Sequence, residues 1–397
     1  MCAVAATEVA AQDPGLVLNE QLQLGDVFSG QTLNVVDVSD QVTVSTTSAG
    51  NSLAGGSNGG NLGITSSQEM RGDASSATTM TLGGDTNGVV TSRTDARGNY
   101  LGASIVKGPM TIDATQTTSG DVTASSVITG QDARLVGGGQ IAVGAYGNSV
   151  ALTGSGQGTD RASLTGSIDQ SASGDIRASN RASPRFVRDP ADFSTQAVGN
   201  VVQTNTGPSS NQELEVRQRS SGAIIEADTS VWAGNGWNLA ARAFAGANQA
   251  TFYNQGGSLV ATTDQGNSAL IRSDTELSSY DYGKATATSI AVANDVIVGN
   301  NDIYVDIDNT QMNTGGVEAT ASFTGQKGYD AYVGVSATGN SLIGYGAAPM
   351  TRNVQTNTGD VSAVANTTVN GSGRNVITGA SAVGNAATFY ITGTGGN

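Results

Sequence analysis

The sequence predicts an all-β fold: a β-solenoid, or parallel β-helix-like stack, of seven repeats of about 45–52 residues. Three observations predict it. The composition is poor in core-forming bulk, two short strings recur in phase along the chain, and the segments between them alternate with period two. Gly supplies 55 of the 397 residues, aromatics are 5%, and charged residues are 13%, about half the roughly 25% of ordinary globular domains. A thin interior filled by small residues explains that balance better than two or three large globular cores.

The first string is Ala-x-Gly-Asn. Its asparagines are Asn51, Asn99, Asn148, Asn200, Asn248, Asn294, Asn340 and Asn385, at successive spacings of 48, 49, 52, 48, 46, 46 and 45 residues; Ser48 replaces the alanine in the first, and Ala247 and Ala293 replace the glycine before Asn248 and Asn294. The second is Gln-x-x-x-Gly-Asp-Val/Ile, with glutamines Gln68, Gln116, Gln170, Gln218, Gln265, Gln311 and Gln355. Glycine follows four residues later in six of these seven copies, and Asp73, Asp121, Asp175 and Asp360 follow the glycine. Alternation such as Ile141-Ala-Val143-Gly-Ala145, rich in Val, Ile and Thr, indicates strands. Gly-Asn and Gly-Asp mark tight corners. Stacked strands lie about 4.8 Å apart, a spacing at which equivalent Asn and Gln amides hydrogen-bond up the stack. The repeat holds one or two coils. Two are favoured, because a single turn of more than 45 residues is large.

Along the chain the organisation reads as follows. Residues 1–11 (MCAVAATEVAA) resemble the end of an export signal, with Val9 and Ala11 at the positions a signal peptidase reads. Residues 12–45 are expected as N-terminal cap strands, residues 46–385 as the repeats, and residues 386–397 as a closing strand. The third repeat is the longest, and its extra residues are placed after Gln170. Residues 177–193 then read as an Arg/Pro-rich insertion loop, whose Arg177, Arg181, Arg185 and Arg188 form a basic cluster suited to an acidic partner. Both tryptophans, Trp232 and Trp237, and eight of the ten tyrosines lie beyond residue 230, where exposed rings would stack on sugars.

Several chemistries are excluded or unsupported. Histidine is absent and the sole cysteine is Cys2, so a Ser/His/Asp triad, an intramolecular disulfide and a Cys-based zinc site are ruled out. The net charge of −15 opposes binding to nucleic acid. No P-loop follows the Gly-rich stretches, and Gly83-Gly84-Asp85 lacks the nine-residue period of calcium-binding rolls. No catalytic residue, metal or cofactor is therefore expected. Paired carboxylates acting on glycans, as in a tail-fibre-type glycan-binding or glycan-degrading β-helix, are the alternative, but nothing in the sequence selects a pair.

The strings Gln355-Thr-Asn-Thr-Gly-Asp-Val361 and Ala337-Thr-Gly-Asn340 are chemically similar to curlin-type repeats, at about twice the unit length. They more closely resemble the holdfast anchor protein family HfaD, over nearly the whole chain from about residue 20. The resemblance implies a secreted, outer-membrane-associated surface protein that is not an enzyme. It implies anchoring of an adhesive polysaccharide holdfast to the cell envelope, as an amyloid-like polymer in one version. The partners implied are extracellular polysaccharide, other copies of the chain, and the holdfast anchor and export proteins of the outer membrane.

Overall fold

The structure, a computed structural model, describes residues 15–130, 132–156, 160–208, 210–301, 304–346 and 350–391. The segment read as an export-signal remnant lies outside the described residues. Strands dominate, every strand pairing is parallel, and among the described residues no helix is long and apolar enough to cross a membrane.

Each repeat is one coil. Asn51 pairs in register with Asn99, Asn99 with Asn148, and so on to Asn385. The expected preference for two coils per repeat is thus corrected. A turn of this size closes in one circuit because its interior is divided in two, as described below.

A coil has three walls. The first is a strand such as Leu62–Met70, and these strands form an eight-stranded sheet. A Gly-Asp corner leads to the second wall, such as Ala74–Leu82, and a further turn to a long third wall, such as Val90–Val106. The second and third walls belong to one sheet, because the chain runs from one to the other without a break in Ile224–Gln255, Leu270–Asn300 and Val317–Gly346. Eight such coils rise about 34 Å from first to last at the usual strand spacing.

Three boundaries read from the sequence change. The strands Gly15–Gln23 and Val27–Val35 pair in parallel with the first and second walls of the next coil, so they are the first coil of the stack and not a separate cap. Its glutamine is Gln21, at the head of a complete copy of the second string, Gln21-Leu-Gln-Leu-Gly25-Asp26-Val27. The extra residues of the long repeat precede Gln170: Val106 and Gly108 are separated by one residue, whereas their partners Ser155 and Ala162 are separated by six. Residues 177–193 are accordingly not an insertion loop. Most of them fall in Ile176–Ala182, Phe186–Val187 and the start of Ala191–Pro208, all paired to the coils on either side, with Arg185 and Arg188 in the short turns between these strands. Arg177 and Arg181 are tolerated in a strand because they face outward in the period-two alternation, and Arg185 and Arg188 are exposed in their turns. At the far end, Asn375–Ile391 is the third wall of the eighth coil, so residues 386–391 continue an established strand, while residues 392–397 lie outside the described residues.

Inward positions make two apolar columns. One fills the space between the second wall and the first half of the third, with Ile141, Phe193, Ala241, Ala287 and Val333 in a single register row. The other lies between the first wall and the second half of the third, with Leu101, Val150, Val202, Ala250, Val296 and Leu342 in one row. These rows mix Ala and Val with a few larger residues, which fills the interior without many bulky side chains.

Candidate functional site

The two apolar columns are separated by a polar waist, and the recurrent Asn and Gln build it. Asn51, Asn99, Asn148, Asn200, Asn248, Asn294 and Asn340 each donate through Nδ2 to Oδ1 of the asparagine one coil later, at 2.7–2.8 Å. The same Nδ2 donates to the backbone carbonyl of the residue that follows the next coil's glutamine, as in Asn99 to Thr117 and Asn248 to Gly266. The glutamines run the other way. Gln68, Gln116, Gln170, Gln218, Gln265, Gln311 and Gln355 each donate through Nε2 to Oε1 of the glutamine one coil earlier, at 2.7–2.9 Å. Each also donates across its own coil to the carbonyl after that coil's asparagine, as in Gln170 to Val201 and Gln355 to Ala386. Inside the stack these amides are fully buried. A primary amide holds donor and acceptor on one planar group and can repeat by translation; a carboxylate or an ammonium cannot. Burial without penalty requires both atoms to be satisfied, and the ladders satisfy both.

The corners have their own columns. At Gly120 a Cβ would sit far inside contact distance of the Gly72 carbonyl, and Gly174 stands likewise over Gly120, so glycine is required by the close approach of successive coils. Asp26, Asp73 and Asp121 each accept the backbone N–H of the aspartate one coil later, and Asp175 accepts from Ala223 and Ile224. Desolvation raises the Asp175 carboxyl, but the Arg177 hydrogen bond and the two backbone N–H groups outweigh it and hold the group below its ordinary value. The aspartate column stops at Ala223. Beyond it an inner asparagine column takes over: Asn267 donates to Asn313 and Asn313 to Asn357, each also bonding the backbone carbonyl two residues on. This third ladder escaped the sequence reading, although Gln-x-Asn recurs at Gln265, Gln311 and Gln355.

Outside, charges alternate in sign up the register. Arg177, Glu226, Arg272 and Glu318 form one such column, and Asp169, Arg217 and Asp264 another. The four arginines singled out from sequence are all paired: Arg177 with Asp175 and Glu226, Arg181 with Asp228, Arg185 with Asp132, and Arg188 with Asp189.

The two end faces are open among the described residues. Gln355 Oε1 and Asn385 Nδ2 have no partner at the far end, while Gln21 Nε2 bonds only Ser52 O and Asn51 Oδ1 accepts nothing at the near end. On the first coil, Leu16, Leu18 and Leu22 point outward, opposite Gly63, Thr65 and Glu69 of the next coil, and are more than half exposed.

Comparison with known proteins gives a family match. The model of the holdfast attachment protein D family matches residues 36–316, more than half of the chain. No curated protein and no solved structure matches it. A repeat whose glutamine and asparagine strings extend in register through and beyond that matched span places the chain in the holdfast attachment protein D family.

Proposed function

We propose that the protein is a structural surface anchor, not an enzyme, that stacks end to end into amyloid-like rods and holds an adhesive polysaccharide to the cell envelope. Membership of a holdfast attachment family supports the cell-surface setting. The single observation that carries the mechanism is the polarity of the ladders. The far face offers a free acceptor at Gln355 and a free donor at Asn385; the near face offers a donor at Gln21 and an acceptor at Asn51. A second copy placed in register would complete both ladders in the directions they already run. It would also cover inward residues such as Val361 and Ala382 at one end and Leu33 and Val35 at the other. Unpaired strand edges are templates for such addition, and many parallel hydrogen bonds then resist extraction. The outward leucine row of the first coil is the surface best suited to an outer-membrane partner.

Sedimentation velocity tests this with two end-face variants, Ala382→Asp and Leu33→Asp, each checked for folding by circular dichroism. Wild type is expected to show species at multiples of the monomer that grow with concentration. Each variant alone stays monomeric, and their mixture stops at dimers, because each supplies one intact face. A wild type that remains monomeric, or variants that assemble like it, would overturn the stacking reading.

A further inference from the structure

The outer surface is largely a lattice of Thr, Ser and paired charges, broken by the leucine row of the first coil and by one aromatic patch. Where the second wall turns into the third in coils five to seven, the chain passes through residues 234–238, 280–284 and 326–330. Asn235, Asp281 and Lys327 share one register row, and Gly236, Tyr282 and Gly328 the next. Trp237, Gly283 and Tyr329 follow. Large and small residues therefore alternate both along and across the coils. A Cβ on Gly283 would lie 3.1 Å from Cδ2 of the Trp237 indole, and one on Gly328 would lie 2.5 Å from the Tyr282 ring. The glycines make room for the rings of the coils beside them.

The result is a groove of about 440 Å³, within the range of small-molecule sites. Trp237 and Tyr329 meet edge to face across it, their centroids 5.9 Å apart, and expose 57% and 49% of their surfaces. Beneath them Tyr282 is only 3% exposed, packed edge-on against Phe323. Its hydroxyl is itself buried and has no hydrogen-bond partner among the described residues, although buried hydroxyls are normally satisfied. Lys327 and Asp281 line the groove and form no ion pair among the described residues.

We propose that this groove binds a short stretch of pyranose polysaccharide, stacked on Trp237 and Tyr329, with sugar hydroxyls bonded to Lys327 and Asp281 at its rim. The proposal rests on the anchor reading and deepens it by naming the contact. A sugar ring combines an apolar C–H face with a hydroxyl edge, and the groove combines half-exposed aromatic faces with hydrogen-bonding groups at its rim. A peptide fits less well. The backbone at this corner is taken up by pairing between coils, so no strand edge is free for a peptide to extend.

The test uses the full chain carrying Trp232→Phe, so that emission reports Trp237 alone. The probes are cello-oligosaccharides, N-acetylated chito-oligosaccharides, polygalacturonate and polysaccharide purified from the surface of the producing cells. A saturable change in emission is expected with at least one probe. Lys327→Met should weaken binding severalfold without loss of stability, since its ammonium lines the groove and forms no ion pair among the described residues. Tyr329→Ala should weaken it at least about tenfold, as loss of one stacked ring implies. No emission change with any probe, or affinity unchanged from wild type in both variants, overturns the groove. So does a groove variant that keeps its affinity for glycan but loses that for an envelope protein, because the groove would then be a peptide site. Retention on a polysaccharide-coated surface separates the two readings. If wild type and Trp237→Ala/Tyr329→Ala are retained equally, the groove is wrong and the anchor stands. If wild type is not retained, the polysaccharide-anchoring reading itself fails.

Discussion

Replacing Asn148 by alanine removes four hydrogen bonds from the centre of the waist. Asn148 Nδ2 donates to Ser171 O and to Asn200 Oδ1, and its Oδ1 accepts from Asn99 Nδ2 and Thr118 Oγ1, all at 2.8–2.9 Å. At about 1 kcal/mol net for each bond the loss is about 4 kcal/mol, and the stranded Asn200 acceptor keeps it from being smaller. Asn51 supplies the internal comparison. It makes only two such bonds, to Glu69 O and Asn99 Oδ1, so Asn51→Ala is expected to cost about 2 kcal/mol. In a stack the location matters as much as the size, because each coil is stabilised by its neighbours. The Asn148 defect should therefore split hydrogen-exchange protection across the middle coils, and the Asn51 defect should fray only the first. Amide exchange followed by mass spectrometry, with urea midpoints alongside, reads both quantities. Equal losses at the two sites, or a loss at Asn148 below about 1 kcal/mol, would refute the ladder as the source of cohesion.

Other expectations follow from the corners, two part-buried carboxylates and the outer surface. Gly120→Ala drives a Cβ into the Gly72 carbonyl and should cost more than about 2 kcal/mol. Gly379→Ala meets nothing within 4 Å and should be neutral or stabilising by up to about 1 kcal/mol; thermal melts compare the two. Burial raises the Asp295 carboxyl, against a smaller lowering by its Ser341 hydrogen bond. A raised folded pKa means that the charged form costs stability at neutral pH, and that the cost fades as pH falls through that pKa. Asp295→Asn should therefore stabilise at pH 7, with the gain shrinking in mild acid, as read from urea midpoints across pH. Asp175 works in the opposite sense: its stabilisation is present at neutral pH and lost as pH falls through its depressed folded pKa, so Asp175→Asn should flatten the acid limb of the same profile. Replacing Arg177, Arg181, Arg185 and Arg188 together by serine breaks exposed ion pairs worth at most about 1 kcal/mol each. The chain should stay folded and should still stack, because none of the four lies on an end face; sedimentation velocity checks this.

The repeat was legible because the residues that build the waist admit few substitutes. Only Asn and Gln carry donor and acceptor in a form that stacks on itself, so their spacing survives in the sequence. Gln21-Leu-Gln-Leu-Gly25-Asp26-Val27 is as complete a copy as any, yet it lies before the first Ala-x-Gly-Asn string and reads as a cap when that string sets the frame. The number of coils per repeat was not legible, since length says nothing of a waist that divides one wide turn into two narrow cores. The arginines of residues 177–193 suggested a loop because charge and proline are unusual in strands. Arg188 pairs with its neighbour Asp189, but the partners Asp132, Glu226 and Asp228 of the other three sit one coil away and some 50 residues distant in sequence, where only the register brings them close. The aromatic groove is similar: Trp237, Tyr282 and Tyr329 are ordinary residues until stacking aligns them.

The most direct measurement is retention of the adhesive polysaccharide on cells under shear, in a strain lacking this gene and supplied with wild type or with Ala382→Asp. The variant keeps every wall, ladder and outer surface of the single molecule and adds one charge to an end face. Cells with wild type are expected to hold the polysaccharide and cells with Ala382→Asp to shed it, although equal amounts of both proteins reach the surface. Equal retention by the two would contradict anchoring by end-to-end stacks.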